Sequence, residues 1–232
     1  MPSILITGAN RGIGLELTRQ FVAEQWQVHA CCRSPENARD LMKLAHQHQG
    51  QVNVHVLDVT NDNQRQILAD QLNGQPIDIL LNNAGVDGGW SEQHFGHVNI
   101  ARWQAALQIN TIAPLQMMQA FMPHVSQSEC KIMANISSRM GSIADNTSGG
   151  SYSYRSSKAA LNMVTMSVAR DLADREICVV ALHPGWVRTD MGGANADLSV
   201  EQSASILKRH LLGLSLADSG RFIDIDGTDI PW

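Results

Sequence analysis

The sequence predicts a single α/β domain: a doubly wound, seven-stranded parallel sheet with helices on both faces. Short apolar runs alternate with amphipathic helical segments from end to end of the 232 residues. Such alternation builds parallel strands joined by right-handed helical crossovers. No Pro/Gly/Ser-rich linker, internal repeat or charge run divides the chain. The first strand runs directly into a glycine-rich turn, Gly8-Ala9-Asn10-Arg11-Gly12-Ile13-Gly14, that opens a helix. Backbone N–H groups in that arrangement, with the helix dipole behind them, suit a pyrophosphate.

Taken in order, Ile4-Leu5-Ile6 has the character of a strand buried on both faces. Gly8 allows a backbone geometry closed to residues with a Cβ, and Gly12 and Gly14 allow close approach of ligand, helix and strand. The glycine spacing is GxxxGxG, where the usual dinucleotide fingerprint is GxGxxG. Ile13, Leu17, Phe21 and Val22 follow at helical spacing. Trp26 to Cys32 reads as the second strand, after which Ser34 and Pro35 are expected to cap and start a helix. Val52 to Val59 is the third strand, and Asn61 with Gln64 is expected to form a capping box for the next helix. Pro76 to Leu81 is the fourth strand and leads into Asn82-Asn83-Ala84-Gly85. One long helix is expected from about Asn99 to Val125, bent at Pro114. Lys131 to Ile136 is the fifth strand, Tyr154 to Leu172 a second long helix, and Ile177 to Leu182 the sixth strand. Ser199 and Gln202 open a further capped helix, and Arg221 to Gly227 is the seventh strand. Insertions at 86–98, 139–153 and 186–199 gather at the carboxyl ends of the strands, where ligands sit in this architecture.

Composition narrows the function. Apolar residues make up 44% and charged residues 17%, and no stretch reaches the roughly 18 consecutive apolar residues of a membrane helix. A net charge of −5 argues against a nucleic-acid-binding surface. Met1-Pro2-Ser3 runs straight into the first strand, so no signal peptide is expected. Four cysteines without CxxC spacing fit buried thiols in a reducing cytoplasm. His94 and His97, like His46 and His48, lack a third ligand in a suggestive place and read as surface residues, with no metal expected.

The chemistry gathers late in the chain. Of the two tyrosines, Tyr154 has Lys158 one helical turn on. A phenol titrates near pH ~10, and a neighbouring ammonium lowers that value, which suits a general acid or base. Tyr-x-x-x-Lys alone is an ordinary helical spacing, but Ser137 and Ser138 end the preceding strand and put hydroxyls at the same edge. Asn110 lies inside an expected helix, where asparagine is unfavourable unless its amide is engaged. Trp90, Met140, Trp186 and Met191 lie in loops at this edge and are candidates for an apolar substrate pocket.

Thr7 to Gly14, Asn82 to Gly85, Asn110, Ser138, Tyr154 to Lys158 and His183 to Thr189 span nearly the whole chain in one order. Together they resemble the motif series of the short-chain dehydrogenases/reductases. The segments Ser142 to Gly150, Thr189 to Gly193 and Gly227 to Trp232 are similar to the C-factor-like and sniffer-like carbonyl reductase branch. The interval from Ser138 to Tyr154 is a few residues longer than is common in the family, a length this branch shares. The resemblance implies a Rossmann fold and an oxidoreductase acting on a small carbonyl or alcohol substrate. Tyr154 would pass the proton, Lys158 would lower its pKa and hold the nicotinamide ribose, and Ser138 would polarise the substrate oxygen. Asn110 would position a water joining Lys158 to solvent. Cofactor contacts would come from Gly8, Asn10, Arg11, Gly12, Ile13 and Gly14, from Asp58 and Val59 at the adenine, and from Asn83, Ala84 and Gly85. Pro184, Gly185, Val187 and Thr189 would border the nicotinamide carboxamide. A homo-oligomer, dimer or tetramer, is also implied, with the two long helices pairing.

The choice of dinucleotide rests on two arginines. An NAD site usually has an acid at the end of the second strand, roughly 20 residues past the glycine turn. Cys31, Cys32 and Arg33 occupy that place. Arg11 and Arg33 offer two planar guanidinium forks suited to a 2′-phosphate, which favours NADP(H) over NAD(H). The expected function is NADP(H)-dependent carbonyl reduction in the cytoplasm. The alternatives are a dinucleotide-binding regulatory or developmental signalling protein with secondary activity, and an NAD-dependent alcohol dehydrogenase.

Overall fold

The computed structural model describes residues 1–232. Its central sheet comprises β1 (Ser3–Thr7), β2 (Gln27–Cys32), β3 (Val52–Val56), β4 (Ile79–Asn82), β5 (Ile132–Ile136), β6 (Cys178–Leu182) and β7 (Phe222–Ile223). The order across the sheet is β3-β2-β1-β4-β5-β6-β7, and every pairing is parallel. The chain winds outward from β1 to β3, then crosses back to β4 on the other side. The carboxyl ends of β1 and β4 therefore flank the crevice where connections diverge, and ligands bind at such a switch point.

Helices cover both faces. They are α1 (Gly12–Ala23), α2 (Arg39–Gln47), α3 (Asp62–Gln71), α4 (Ile100–Leu107), α5 (Ala113–Ser126), α6 (Tyr152–Asp171) and α7 (Val200–Gly213). Alternation along each strand divides the core in two. Ile4 and Ile6 of β1 join a cluster with Leu17, Phe21, Leu41 and Leu207 from α1, α2 and α7. Leu5, between them, joins Leu68, Met117, Phe121 and Val168 from α3, α5 and α6. Each such side chain taken fully out of water contributes about 1.5–3 kcal/mol. The same alternation separates the neighbours Cys31 and Cys32, which lie in different clusters. Cys178 is also buried, and Cys130, just before β5 at the amino edge of the sheet, is exposed. No helix is long and apolar enough to cross a membrane.

Several expected boundaries shift, for identifiable reasons. The expected helix over Asn99 to Val125 is broken into α4 and α5 by a π-turn, Gln108–Ile112, in which Ala113 N–H donates to Gln108 O. The break thus lies at Asn110, ahead of Pro114, which occupies the first turn of α5. Proline there cannot donate to the carbonyl of Asn110, which leaves the ladder open next to the turn. Ser34 makes no cap bond. Pro35–Asn37 form a separate 3-10 turn, and α2 starts only at Arg39. Asn61 does accept from Gln64 N–H at 3.0 Å, but Gln64 reaches past it to accept from Asp58 N–H at 2.6 Å. Ser199 and Gln202 form the complete box. β7 is two residues long because the chain reverses after it, with Ile223 bridging antiparallel to Asp229 around Gly227 at φ +91°.

Candidate active site

The glycine turn is built by contact. A Cβ on Gly8 (φ +67°) would stand 2.9 Å from Ala84 Cα, and one on Gly14 would stand 2.4 Å from Gly8 O and 2.6 Å from Asn83 Nδ2. Strand, helix and the 82–85 segment therefore close on one another without side chains between them. Thr7 Oγ1 accepts from Asn83 N–H and Ala84 N–H, both at 3.0 Å, while Asn83 Nδ2 donates to Thr7 O at 2.9 Å. Ile13 packs against the α1 side of the core, and Asn10 is exposed on the turn. No side chain caps α1 and no acid lies in its first turn. Its leading N–H groups and positive dipole end are left for an anion, so the cradle fits a dinucleotide pyrophosphate. Thr189 stands over the turn, its methyl 3.5 Å from where a Cβ on Gly12 would be. Gly185 adopts φ +78°, and Val187 pairs with Leu198, which shapes the far wall.

Arg11 does not hang free. Its guanidinium pairs with Asp190 on the segment after β6, and both side chains are exposed. Arg33, past the end of β2, is exposed beside Asp58. Burial would raise the Asp58 carboxyl, but hydrogen bonds from Thr60 and the charges of Arg33 and Arg65 hold it below the usual range. Val59 is buried next to it.

Across the crevice, Ser138 lies two residues past the end of β5, and its Oγ accepts from Met140 N–H at 3.2 Å. A Cβ on Gly141 would lie 2.9 Å from the Lys158 backbone, so α6 rests directly on this turn. Lys158 Nζ donates to Ile136 O at 2.7 Å and lies 5.8 Å from the centre of the Tyr154 ring. The π-turn brings Asn110 inward to full burial. There its Oδ1 accepts from Val86 N–H at 2.9 Å, and its Nδ2 donates to Val86 O at 2.8 Å and Ser157 Oγ at 3.0 Å. Pro184 O accepts from Ser203 Oγ at 2.7 Å, tying the end of β6 to α7. A Cβ on Gly85 would stand 3.2 Å from Asn110 Oδ1 and 3.7 Å from Lys158 Nζ, so three separate motifs meet at one point.

The electrostatics correct one expectation. Burial raises the Tyr154 phenol above its ordinary value, the Ser138 hydroxyl partly offsets this, and Asp87 adds to it. Lys158, its amine engaged by Ile136 O, is not among the groups that set this shift, and burial dominates it. Burial also lowers Lys158 itself, to about 8. The Asn110 side-chain amide is engaged, as an asparagine inside a helical segment requires, and braces Val86 and Ser157.

Trp90 stands edge-on to Tyr154, with ring centres 5.1 Å apart at 63°, and its indole N–H donates to Met191 O at 3.3 Å. Trp186 Nε1–H donates to Gly192 O at 2.8 Å. Met140 and Met191 are half-buried at the same edge. Gln93 was not among the residues the sequence singles out. It lies on a short hairpin, Gln93–His94 against His97–Val98, within a loop of polar sequence, and nothing in its local sequence marks it as fully buried.

A phosphate cradle facing a buried tyrosine and lysine across one crevice is the equipment of a nicotinamide-dinucleotide oxidoreductase, and the molecule is of that class. The family model described as short chain dehydrogenase matches residues 2–198, and the chain belongs to that family. It is 45% identical over 157 residues to the C-signal of Myxococcus xanthus, covering 68% of this chain and 93% of that protein. Carbonyl reductase Sniffer of D. melanogaster superposes with a TM-score of 0.94 at 34% identity, over 100% of both chains. The NADPH-bound carbonyl reductase from chicken fatty liver superposes with a TM-score of 0.92 at 36% identity, over 100% of this chain and 99% of that one. The likeness to a carbonyl reductase branch read from the motifs holds in three dimensions.

Proposed function

We propose that the chain reduces an aldehyde or ketone to the alcohol with NADPH. The observation that supports this most directly is the meeting of Ser138, Tyr154 and Lys158 at the carboxyl edge of β5, facing the α1 cradle. Bound there, the dinucleotide supplies the hydride. Tyr154 gives its phenolic proton to the carbonyl oxygen. A phenol raised by burial stays protonated at neutral pH, which suits an acid. Ser138 donates to the same oxygen and holds it as negative charge develops. Lys158, at about 8, is close enough to neutrality to exchange protons, and in its charged form it stabilises the phenolate left behind. Asn110 keeps the 86–98 segment and α6 in register.

For the cofactor, Gly8, Asn10, Gly12, Ile13 and Gly14 take the pyrophosphate side, Arg11 and Arg33 the 2′-phosphate, Asp58 and Val59 the adenine, and Asn83, Ala84 and Gly85 the ribose. Pro184, Gly185, Val187 and Thr189 take the carboxamide. Arg11 and Arg33 favour NADP(H), a choice supported by the NADPH-bound state of the chicken liver relative.

The test is NADPH oxidation with a panel of aldehydes, ketones and diones, comparing wild type with Tyr154→Phe. Loss of the general acid should lower kcat by about 10²–10⁴-fold and leave cofactor binding intact. A wild-type protein that binds NADPH and turns over none of these carbonyls would overturn the reading. It would favour a dinucleotide-binding signalling protein, which the 45% identity to the C-signal supports.

A further inference from the structure

The catalytic helix is capped by another part of the chain. Ser151, which precedes α6, sits in the left-handed region at φ +49° and makes no side-chain cap bond. The first-turn N–H groups therefore need an outside acceptor. Gln93 is that acceptor: its Oε1 takes the Tyr154 N–H at 3.1 Å and the Ser153 hydroxyl at 2.6 Å. Its Nε2 donates to Asp87 O at 2.9 Å, so the whole buried amide is engaged. Gly88 (φ +73°) lets the loop pass, since a Cβ there would stand 2.5 Å from Ser153 Oγ. Glu92 anchors the far side, its carboxylate ion-paired with Arg102 at 2.9 Å and accepting from Asn99 Nδ2 at 3.1 Å, and its carbonyl accepts from Asn99 N–H at 3.0 Å.

We propose that Gln93 is a positioning residue for Tyr154, fixing the tyrosine's backbone N–H from the 86–98 segment while Trp90 of the same segment bears on its ring. The proposal rests on Tyr154 being the proton donor. Without this acceptor the phenol's place against Ser138 would depend on a helix end that lacks its own cap. The amide is also the right acceptor chemically. A carboxylate at the same place would suit the helix dipole but disfavour the phenolate, adding to Asp87 and opposing Lys158, the charged groups beside the ring.

Tyr152→Phe leaves Tyr154 as the sole tyrosine. Incorporated fluorotyrosine then gives one fluorine-NMR resonance that reports its titration without turnover. In that background Gln93→Glu, which keeps the acceptor, should move the Tyr154 titration and the alkaline limb of reduction to higher pH together. Gln93→Met, which removes it, should shift the resonance and lower kcat by about 10²-fold, with the Kd for NADPH unchanged. An unmoved titration in Gln93→Glu overturns the proposal, as does wild-type kcat in Gln93→Met. If Gln93→Met does not fold, Gln93→Glu decides. If the wild type reduces no carbonyl, the fluorine titration still decides, so the two failures are separable.

Discussion

The guanidinium of Arg11 and the carboxylate of Asp190 join the glycine turn to the segment after β6, across the mouth of the cleft. With side chains 68% and 79% exposed, the pair contributes little to stability and is readily exchanged for another anion. A 2′-phosphate would take Arg11 from Asp190. Replacing both Arg11 and Arg33 by alanine should weaken NADPH binding by about 10- to 100-fold, the worth of one or two charge-assisted hydrogen bonds, and NADH binding far less. Asp190→Asn removes the competing carboxylate and should tighten NADPH. Fluorescence titration with both dinucleotides checks this. Equal losses for the two would sink the NADP assignment.

Acid should destabilise the fold through a buried histidine pair. His29 Nδ1 on β2 lies 3.1 Å from His55 Nε2 on β3, the rings are stacked, and His29 Nε2 has no partner. Burial, aided by His55 and His124, pushes His29 down to about 4. The unfolded chain takes up this proton near pH 6.5 and the folded chain only near 4. The stability is fully present above about 6.5 and is lost as pH falls through that window, by about 2 kcal/mol between pH 6.5 and 5. Urea unfolding at pH 7 and pH 5 should show a lower midpoint in acid, and His29→Leu should reduce the difference by about half, because burial pushes His183 down to about 4 as well. Identical midpoints for the wild type at both pH values would mean that the pair titrates normally.

Asn110→Ala should cost stability as well as rate. The substitution strips both the N–H and the C=O of Val86 of their partner inside the protein, and Ser157 loses one too. At about 1–3 kcal/mol for each unsatisfied group and about 2–4 °C per kcal/mol at this chain length, the variant should melt at least about 5 °C lower. Tyr154→Phe should not. Calorimetry of the two variants separates bracing from chemistry. An unchanged Tm for Asn110→Ala would show that water takes over these bonds.

What could be read from the sequence was what is local. Ile4-Leu5-Ile6, the α1 stripe and the Ser199–Gln202 cap follow from period and spacing, and the alternation of elements carried the parallel sheet. Tyr154 and Lys158 are one turn apart on any helix. Whether burial or the ammonium dominates the phenol depends on what surrounds it, and here burial wins. The π-turn at Asn110 reflects partners 24 and 47 residues away. Gln93 meets the start of α6 across 61 residues, and Arg11 meets Asp190 across 179. No pattern within a helical or strand window carries such contacts. Ser34 failed as a cap for a related reason, because Ala38 at φ −97°, ψ 60° interrupts the helix it would have started.

The distribution of thiols makes the natural chain a single-label protein. Cys31, Cys32 and Cys178 are sealed in the core, beyond a reagent's reach. Cys130 stands at the amino edge of the sheet, away from the crevice. A maleimide dye or spin probe would mark that one position with no cysteine engineered in or out. Tumbling, self-association and distances between copies can then be followed while the crevice stays unmodified.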